Sequence, residues 1–264
     1  MKILLLGGEG FIGRNLADSM SGKFEHYSLG RTPSPFRTIS KNFIKKNLYC
    51  ENIGEFFDVY VHLIDNKLDI EQEMYFLKNV NPDAHIILFS SAVVYANPTS
   101  IYGLRKSALE KIYTDHCKKL TILRLFNTYG KYQIPYRQGS LVANILYNHI
   151  NNIPIEINNM DIRRDFIFAE DIGRYVEFVI TSQLYGTYDL ATGKMHSLGE
   201  LCNAVQCITS STLNVVDHKR TDIACPTANK TIPCNIKPTE LSWGLEGVFA
   251  FFRDNNAIIK SLVS

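Results

Sequence analysis

The chain has 264 residues, with 28 Lys plus Arg against 26 Asp plus Glu and a formal net charge of +2. With 45% hydrophobic and 20% charged residues it has the material for a sizeable core and lacks the profile of a disordered chain. The near balance of charge argues against a dedicated nucleic-acid protein, which carries a strong basic excess, but leaves room for a local basic pocket.

In chain order, residues 3–6 read as a buried strand, 7–13 as a glycine-rich turn and 11–20 as a helix, with Phe11, Ile12, Leu16 and Met20 at helical spacing. Further strands are expected at 26–29, 57–64, 85–90 and 120–126, and helices at 70–78 and 107–119. Strands alternating with helices imply parallel βαβ units, an α/β sheet covered on both faces. After Tyr129 the rhythm changes. Helices are expected at 139–151, 171–182, 197–208 and 245–255, with strands at 154–157 and 186–191. No internal repeat, low-complexity segment or linker interrupts the chain, which suggests a second lobe interleaved with the first.

The six cysteines form no C-x-x-C and no Cys/His cluster with zinc spacing, so no metal is expected. Free, mostly buried thiols in a reducing cytoplasm are the expectation. The first apolar run is too short for a signal segment, and no stretch approaches the ~18 apolar residues that span a bilayer. His62, inside a strand, is expected to be a core imidazole, Trp243 to pack in the second lobe, and residues 41–46 to form a solvated loop or helix face. The aromatic residues lack basic interleaving, so nothing suggests nucleic-acid stacking.

Gly7, Gly10 and Gly13 form G-x-x-G-x-x-G between a strand and a helix, the context in which this pattern binds a dinucleotide. The first glycine permits the turn, the second lets a pyrophosphate approach, and the third packs the helix closely. The helix N-terminus offers N–H groups and a positive dipole end to the phosphates. At the end of the second strand an acid would take the ribose hydroxyls of NAD and an arginine the 2′-phosphate of NADP. Here that place holds Arg31, 18 positions beyond Gly13, and no acid. NADP is therefore favoured, with NAD the alternative; Glu9, inside the turn, counts the other way.

Tyr102 and Lys106, spaced i,i+4, share one face of a helix. A neighbouring ammonium favours the phenolate, so such a tyrosine can exchange a proton with an alcohol or sugar oxygen. Ser90 and Ser91 end the fourth strand, where the carboxyl edge of a parallel sheet faces the ligand crevice. A serine hydroxyl there can hold the same oxygen.

The segments GGEGFIG at 7–13, DVYVHLI at 58–64, LFSSAVVYA at 88–96, YGLRK at 102–106, LRLFNTYG at 123–130 and RRDFIFAEDIGR at 163–174 follow one another in a known order. Together they resemble the extended short-chain dehydrogenases/reductases, specifically the NAD(P)-dependent epimerase/dehydratase family that acts on nucleotide sugars. The resemblance covers about residues 1–240. It implies a Rossmann-type doubly wound parallel sheet over 1–128, with 165–192 returning to it, and a smaller nucleotide-sugar lobe from 129–164 and 193–264. It also implies a homodimer joined through a four-helix bundle to which the helices near 70–78 and 103–118 contribute. Ser91, Tyr102 and Lys106 match the catalytic positions. Phe11, Ile12, Leu63, Ile64 and Phe126 match positions along the cofactor, which Lys106 also holds. Asn127 and Arg164 match the substrate diphosphate site, and Arg220 is a second such arginine on a looser local match.

Two departures bear on chemistry. Family dehydratases carry an Asp-Glu pair after the catalytic residue; here Ala92 and Val93 stand there, and neither can protonate a leaving hydroxyl. The connection from Tyr95 to Tyr102 is also short for the family. What remains is an NADPH-dependent reductase of a nucleotide-linked 4-keto-6-deoxy sugar, in a setting of deoxysugar and polysaccharide synthesis. The alternatives are a 4-epimerase that retains NAD, and a non-catalytic NADP-binding redox sensor, whose relatives typically lose the Tyr/Lys pair.

Overall fold

A computed structural model describes residues 1–36, 42–47, 51, 56–64, 69–137, 139–221 and 225–263. Its main sheet begins with β1 (Lys2–Leu6), which leads through the glycine turn into α1 (Phe11–Met20). Then come β2 (Glu25–Gly30), β3 (Phe43–Lys45), β4 (Val59–His62), α2 (Ile70–Asn79) and β5 (His85–Ser91). A single turn, α3 (Val93–Ala96), precedes α4 (Ile101–His116), β6 (Leu120–Leu125) and β7 (Asn127–Tyr129). The rest comprises α5 (Leu141–Ile150), β8 (Ile155–Ile157), β9 (Arg163–Phe168), α6 (Ala169–Thr181), β10 (Gly186–Leu190), β11 (Met195–Ser197), α7 (Leu198–Thr209), β12 (Val215–Asp217), α8 (Leu241–Asp254) and α9 (Asn256–Val263).

Seven strands pair in the order β10-β6-β5-β4-β1-β2-β3, all parallel. The order reverses beside β1, and the crevice at a switch of this kind is where open α/β sheets bind ligands. Alternation along the strands explains the double cover. Ile3 and Leu5 face a cluster with Leu16 and Met20 of α1 and Ile172 and Val176 of α6. Leu4 and Leu6 face Phe76 of α2 and Leu109 and Tyr113 of α4. A third cluster, from Val142 and Leu146 of α5, Leu201 and Val205 of α7 and Leu245 and Phe252 of α8, lies outside these two layers. There β7, β9 and β11 form a three-stranded sheet and β8 pairs with β12.

Several expectations need correction. Residues 43–45 are an edge strand beside β2, not a solvated loop or helix face; Lys41 lies outside the described residues. α4 starts at Ile101, six residues before the expected 107, because Ser100 caps it by accepting the Gly103 N–H at 3.0 Å. The short strands β7, β9, β11 and β12 and the helix α9 are also additions. Trp243 is 76% exposed: the buried stripe of α8 is Leu241, Gly244, Leu245, Val248 and Phe252, and Trp243 falls off it. Of the cysteines described, all free, Cys202 is buried and Cys207 exposed, while Cys117, Cys225 and Cys234 are half-buried; Cys50 lies outside the described residues. His62 is a buried core imidazole, between the rings of Phe76 and Tyr113 with its Nε2 3.4 Å from Glu73. Among the described residues no helix is long and apolar enough to cross a membrane.

Candidate active site

The glycine turn closes on itself and on β2: Gly7 N donates to Leu29 O at 2.8 Å and Gly10 N to Gly7 O at 2.9 Å. Gly7 has φ +82°, a left-handed conformation that favours glycine. A Cβ on Gly13 would lie 2.4 Å from Gly8 Cα, so only glycine lets α1 start this close to the turn. The turn opens onto a cleft of about 1090 Å³ lined by Gly7, Gly10, Phe11, Arg31, Leu63 and Ile64, six of the residues expected along a dinucleotide. A strand end, a tight turn and a helix N-terminus around such a cleft fit a dinucleotide's pyrophosphate. Gly13 acts in packing, and Ile12 packs against the core cluster between the sheet and α1 and α6. Phe126 lies apart from the cleft lining, in a small buried cluster with Ala92 and Ala191.

The cleft also contains residues that the motif does not name. Arg14, Lys46 and Arg137 line it beside Arg31, with Glu9 as the carboxylate. Arg14 is 2% exposed. Its guanidinium lies 4.4 Å from the centre of the Tyr132 ring, and its Nη1 lies 3.4 Å from both Glu9 Oε2 and Phe36 O. The sequence signal for Arg14 was its place directly after Gly13; the partners that hold it come from loops far along the chain.

Ser91 ends β5, and Tyr102 and Lys106 lie in the first turns of α4. The Ser100 cap sets Tyr102 and Lys106 one turn apart on α4, with Lys106 Nζ 5.7 Å from the centre of the Tyr102 ring. Lys106 is 7% exposed and its Nζ donates to Phe89 O at 3.5 Å, which ties it to β5. Ser91 Oγ accepts the Val93 N–H at 3.3 Å as α3 begins. Ser90, by contrast, is turned into the protein and donates to Glu110 at 2.6 Å. Glu110 also takes two hydrogen bonds from Arg124, at 3.0 and 2.7 Å, locking α4 to β6. This bond and charge hold the Arg124 guanidinium above its ordinary pKa. Tyr95, stacked near Arg124, has its phenol pushed up, chiefly by burial and then by Asp189. Ser91, Tyr102 and Lys106 are not among the residues that line the large cleft.

Asn127 and Arg164 come together in a second cavity of about 270 Å³, with Thr128, Glu156, Asn158 and Phe166. Asn127 Nδ2 donates to Asp165 O at 3.3 Å and lies 3.5 Å from Cys225 Sγ. Arg220 is exposed and is placed by its backbone N–H, which donates to Asn158 O at 2.7 Å beside the lining. Asp165 receives the Thr192 and Gly193 N–H groups at 2.9 and 2.7 Å, so its role is to hold the loop after β10. The neighbouring Arg163 pairs with Glu200 at 3.3 Å. Glu156, Asn158 and Cys225 escaped the sequence reading because they stand in no motif.

Residues 91–242 match the family described as GDP-mannose 4,6 dehydratase. A UDP-2-acetamido-2,6-beta-L-arabino-hexul-4-ose reductase of Pseudomonas aeruginosa is 27% identical over 215 residues, 76% of this chain. The match spans only 56% of that relative's own length. Among solved structures, a UDP-glucose 4-epimerase of Thermotoga maritima superposes with a TM-score of 0.80 at 18% identity, covering 97% of this chain and 100% of the other. A dTDP-glucose 4,6-dehydratase of Bacillus anthracis gives 0.82 at 16% identity, covering 99% of each. These two likenesses establish the fold.

Proposed function

The chain belongs to the GDP-mannose 4,6 dehydratase family, within the extended short-chain dehydrogenases/reductases that act on nucleotide sugars, and we propose that it reduces a nucleotide-linked 4-keto-6-deoxy sugar with NADPH. The observation that carries this reading is the side chains around β5. Tyr102 and Lys106 lie side by side on α4, with Lys106 bonded to β5, the strand that Ser91 ends, while Ala92 and Val93 fill the places from which a dehydratase would need acid/base groups. The reductase of Pseudomonas aeruginosa, named for a 4-keto hexose, supports the same choice.

A reduced nicotinamide bound along the cleft would supply a hydride to the keto carbon at C4. Tyr102 gives its hydroxyl proton to the carbonyl oxygen, so that C=O becomes CH–OH. Lys106, held against β5, stabilises the phenolate left behind. The Ser91 hydroxyl donates a hydrogen bond to the same oxygen and fixes its position. Arg164 and Arg220 take the diphosphate, as guanidinium groups suit that anion, and Asn127 joins them from the second cavity. Arg31, with three further cations along the cleft, supports NADPH over NADH.

The test is a panel of nucleotide-linked 4-keto-6-deoxy sugars incubated with NADPH. Stoichiometric loss of NADPH is the expected result; interconversion of a nucleotide hexose with no net cofactor use would instead make the protein an epimerase. We also propose a homodimer joined through α2 and α4, where Ile70, Ile101 and Leu104 are 56%, 76% and 58% exposed. Sedimentation should give twice the chain mass, and Leu104→Glu should shift it to one; a wild-type monomer rules the dimer out.

A further inference from the structure

The end of β2 lacks the acid that reads a ribose, but the fold brings one there from another place. Glu9 leaves the glycine turn and spans to the loop after β2, where its Oε2 accepts the Ser34 N–H at 3.1 Å. The same oxygen faces Arg14 Nη1 at 3.4 Å. Its side chain is only 7% exposed, and both Glu9 and Arg14 line the cleft with Leu29, Gly30 and Arg31. The carboxylate therefore sits between the turn that takes the pyrophosphate and the strand end that meets the adenosine ribose.

We propose that Glu9 is a specificity-determining residue for the cofactor, reading the adenosine ribose hydroxyls in place of the missing acid at the end of β2. This rests on the reading of the cleft as a dinucleotide site. Two ribose hydroxyls are donors that a carboxylate accepts well, whereas a 2′-phosphate beside it meets like charge. Arg14 opposes that repulsion. It is buried against Tyr132 and Phe36 and paired with Glu9, so it neutralises the carboxylate when a phosphate arrives and Arg31 takes the new anion. The pair makes the cleft tolerant: NADPH is bound through Arg31, with Arg14 neutralising Glu9, and NADH through Glu9. Glu9 does so only because the surrounding structure fixes it. Phe36, two residues after Ser34, is buried in the cluster outside the main sheet, 5.5 Å from the ring centres of both Tyr132 and Phe251.

The test is equilibrium binding of NADPH and of NADH to the full chain, followed by nicotinamide fluorescence, with no sugar present. Wild type should bind both. In Glu9→Gln, which keeps an acceptor for Arg14 and Ser34 but removes the charge, NADH should bind roughly ten-fold more weakly and NADPH severalfold more tightly. Glu9→Asp, which keeps the charge but not the reach, should weaken NADH alone. Because the ratio of the two affinities is taken within one preparation, partial loss of folded protein cancels. An unchanged ratio in Glu9→Gln overturns the role of Glu9 while leaving the dinucleotide site intact. Failure of wild type to bind either dinucleotide defeats the cofactor reading itself, and this inference with it.

Discussion

At the scale of single residues, the proposed chemistry depends on one proton donor. Tyr102 stands one helical turn from a buried ammonium, and Lys106 reaches both its ring and the end of β5. Tyr102→Phe keeps the aromatic ring beside Lys106 and removes the hydroxyl that carries the proton. Steady-state kinetics should show kcat lowered by about 10²–10⁴-fold with KM little changed. Turnover within a few-fold of wild type would remove Tyr102 from the mechanism. The motif residues were legible because their neighbours in sequence are their neighbours in space: Gly7 to Gly13 in one turn, Tyr102 and Lys106 in one helix. Arg14 and Glu9 were only half legible. Glu9 stands in the turn and Arg14 directly after it in α1, but what they face, Ser34, Phe36 and Tyr132, is set by loop contacts with no local period.

At the scale of elements, buried polar links tie β5 and β6 to each other and to α4. Glu110 joins α4 to Arg124 of β6 and Ser90 of β5. His85, at the start of β5, is 6% exposed and its Nε2 lies 2.7 Å from Thr121 Oγ1 of β6. Burial, with a smaller push from Lys119, holds the His85 pKa down at about 4 from the usual 6.5. Above 6.5 the ring is neutral in both folded and unfolded chains and adds no pH dependence. As pH falls from 6.5 to about 4, the unfolded chain takes up a proton that the folded one refuses, so stability is lost over that window. The loss amounts to roughly 3 kcal/mol when complete. Urea unfolding should therefore show wild type losing more stability between neutral pH and about pH 4.5 than His85→Leu does; equal losses would mean the ring is not held neutral. Elements of the main sheet followed from apolar runs and helical spacing, since 11–20 is a helix and 85–90 a strand as expected. The three-residue strands β7, β11 and β12 did not: unlike β8, with Ile155 and Ile157 buried about an exposed Glu156, they show no clear burial alternation, and their pairing partners decide the conformation.

At the scale of the molecule, the switch in strand order puts the glycine turn next to the end of β2, and the crossover through α4 brings Lys106, one turn after Tyr102, against Phe89 of β5. The second cavity gathers Asn127 from β7, Glu156 from β8 and Arg164 from β9, three strands that lie outside the main sheet. A reductase needs the cleft and this cavity to serve one reaction, with hydride from one ligand reaching the sugar held by the other. NADPH carrying deuterium at the transferred position of C4, supplied with a nucleotide-linked 4-keto-6-deoxy sugar, tests that claim most directly. One deuterium per product molecule, bonded to the sugar C4, is expected, with NADPH consumed in equal amount. Product without deuterium at C4, or formed with no NADPH consumed, would contradict it.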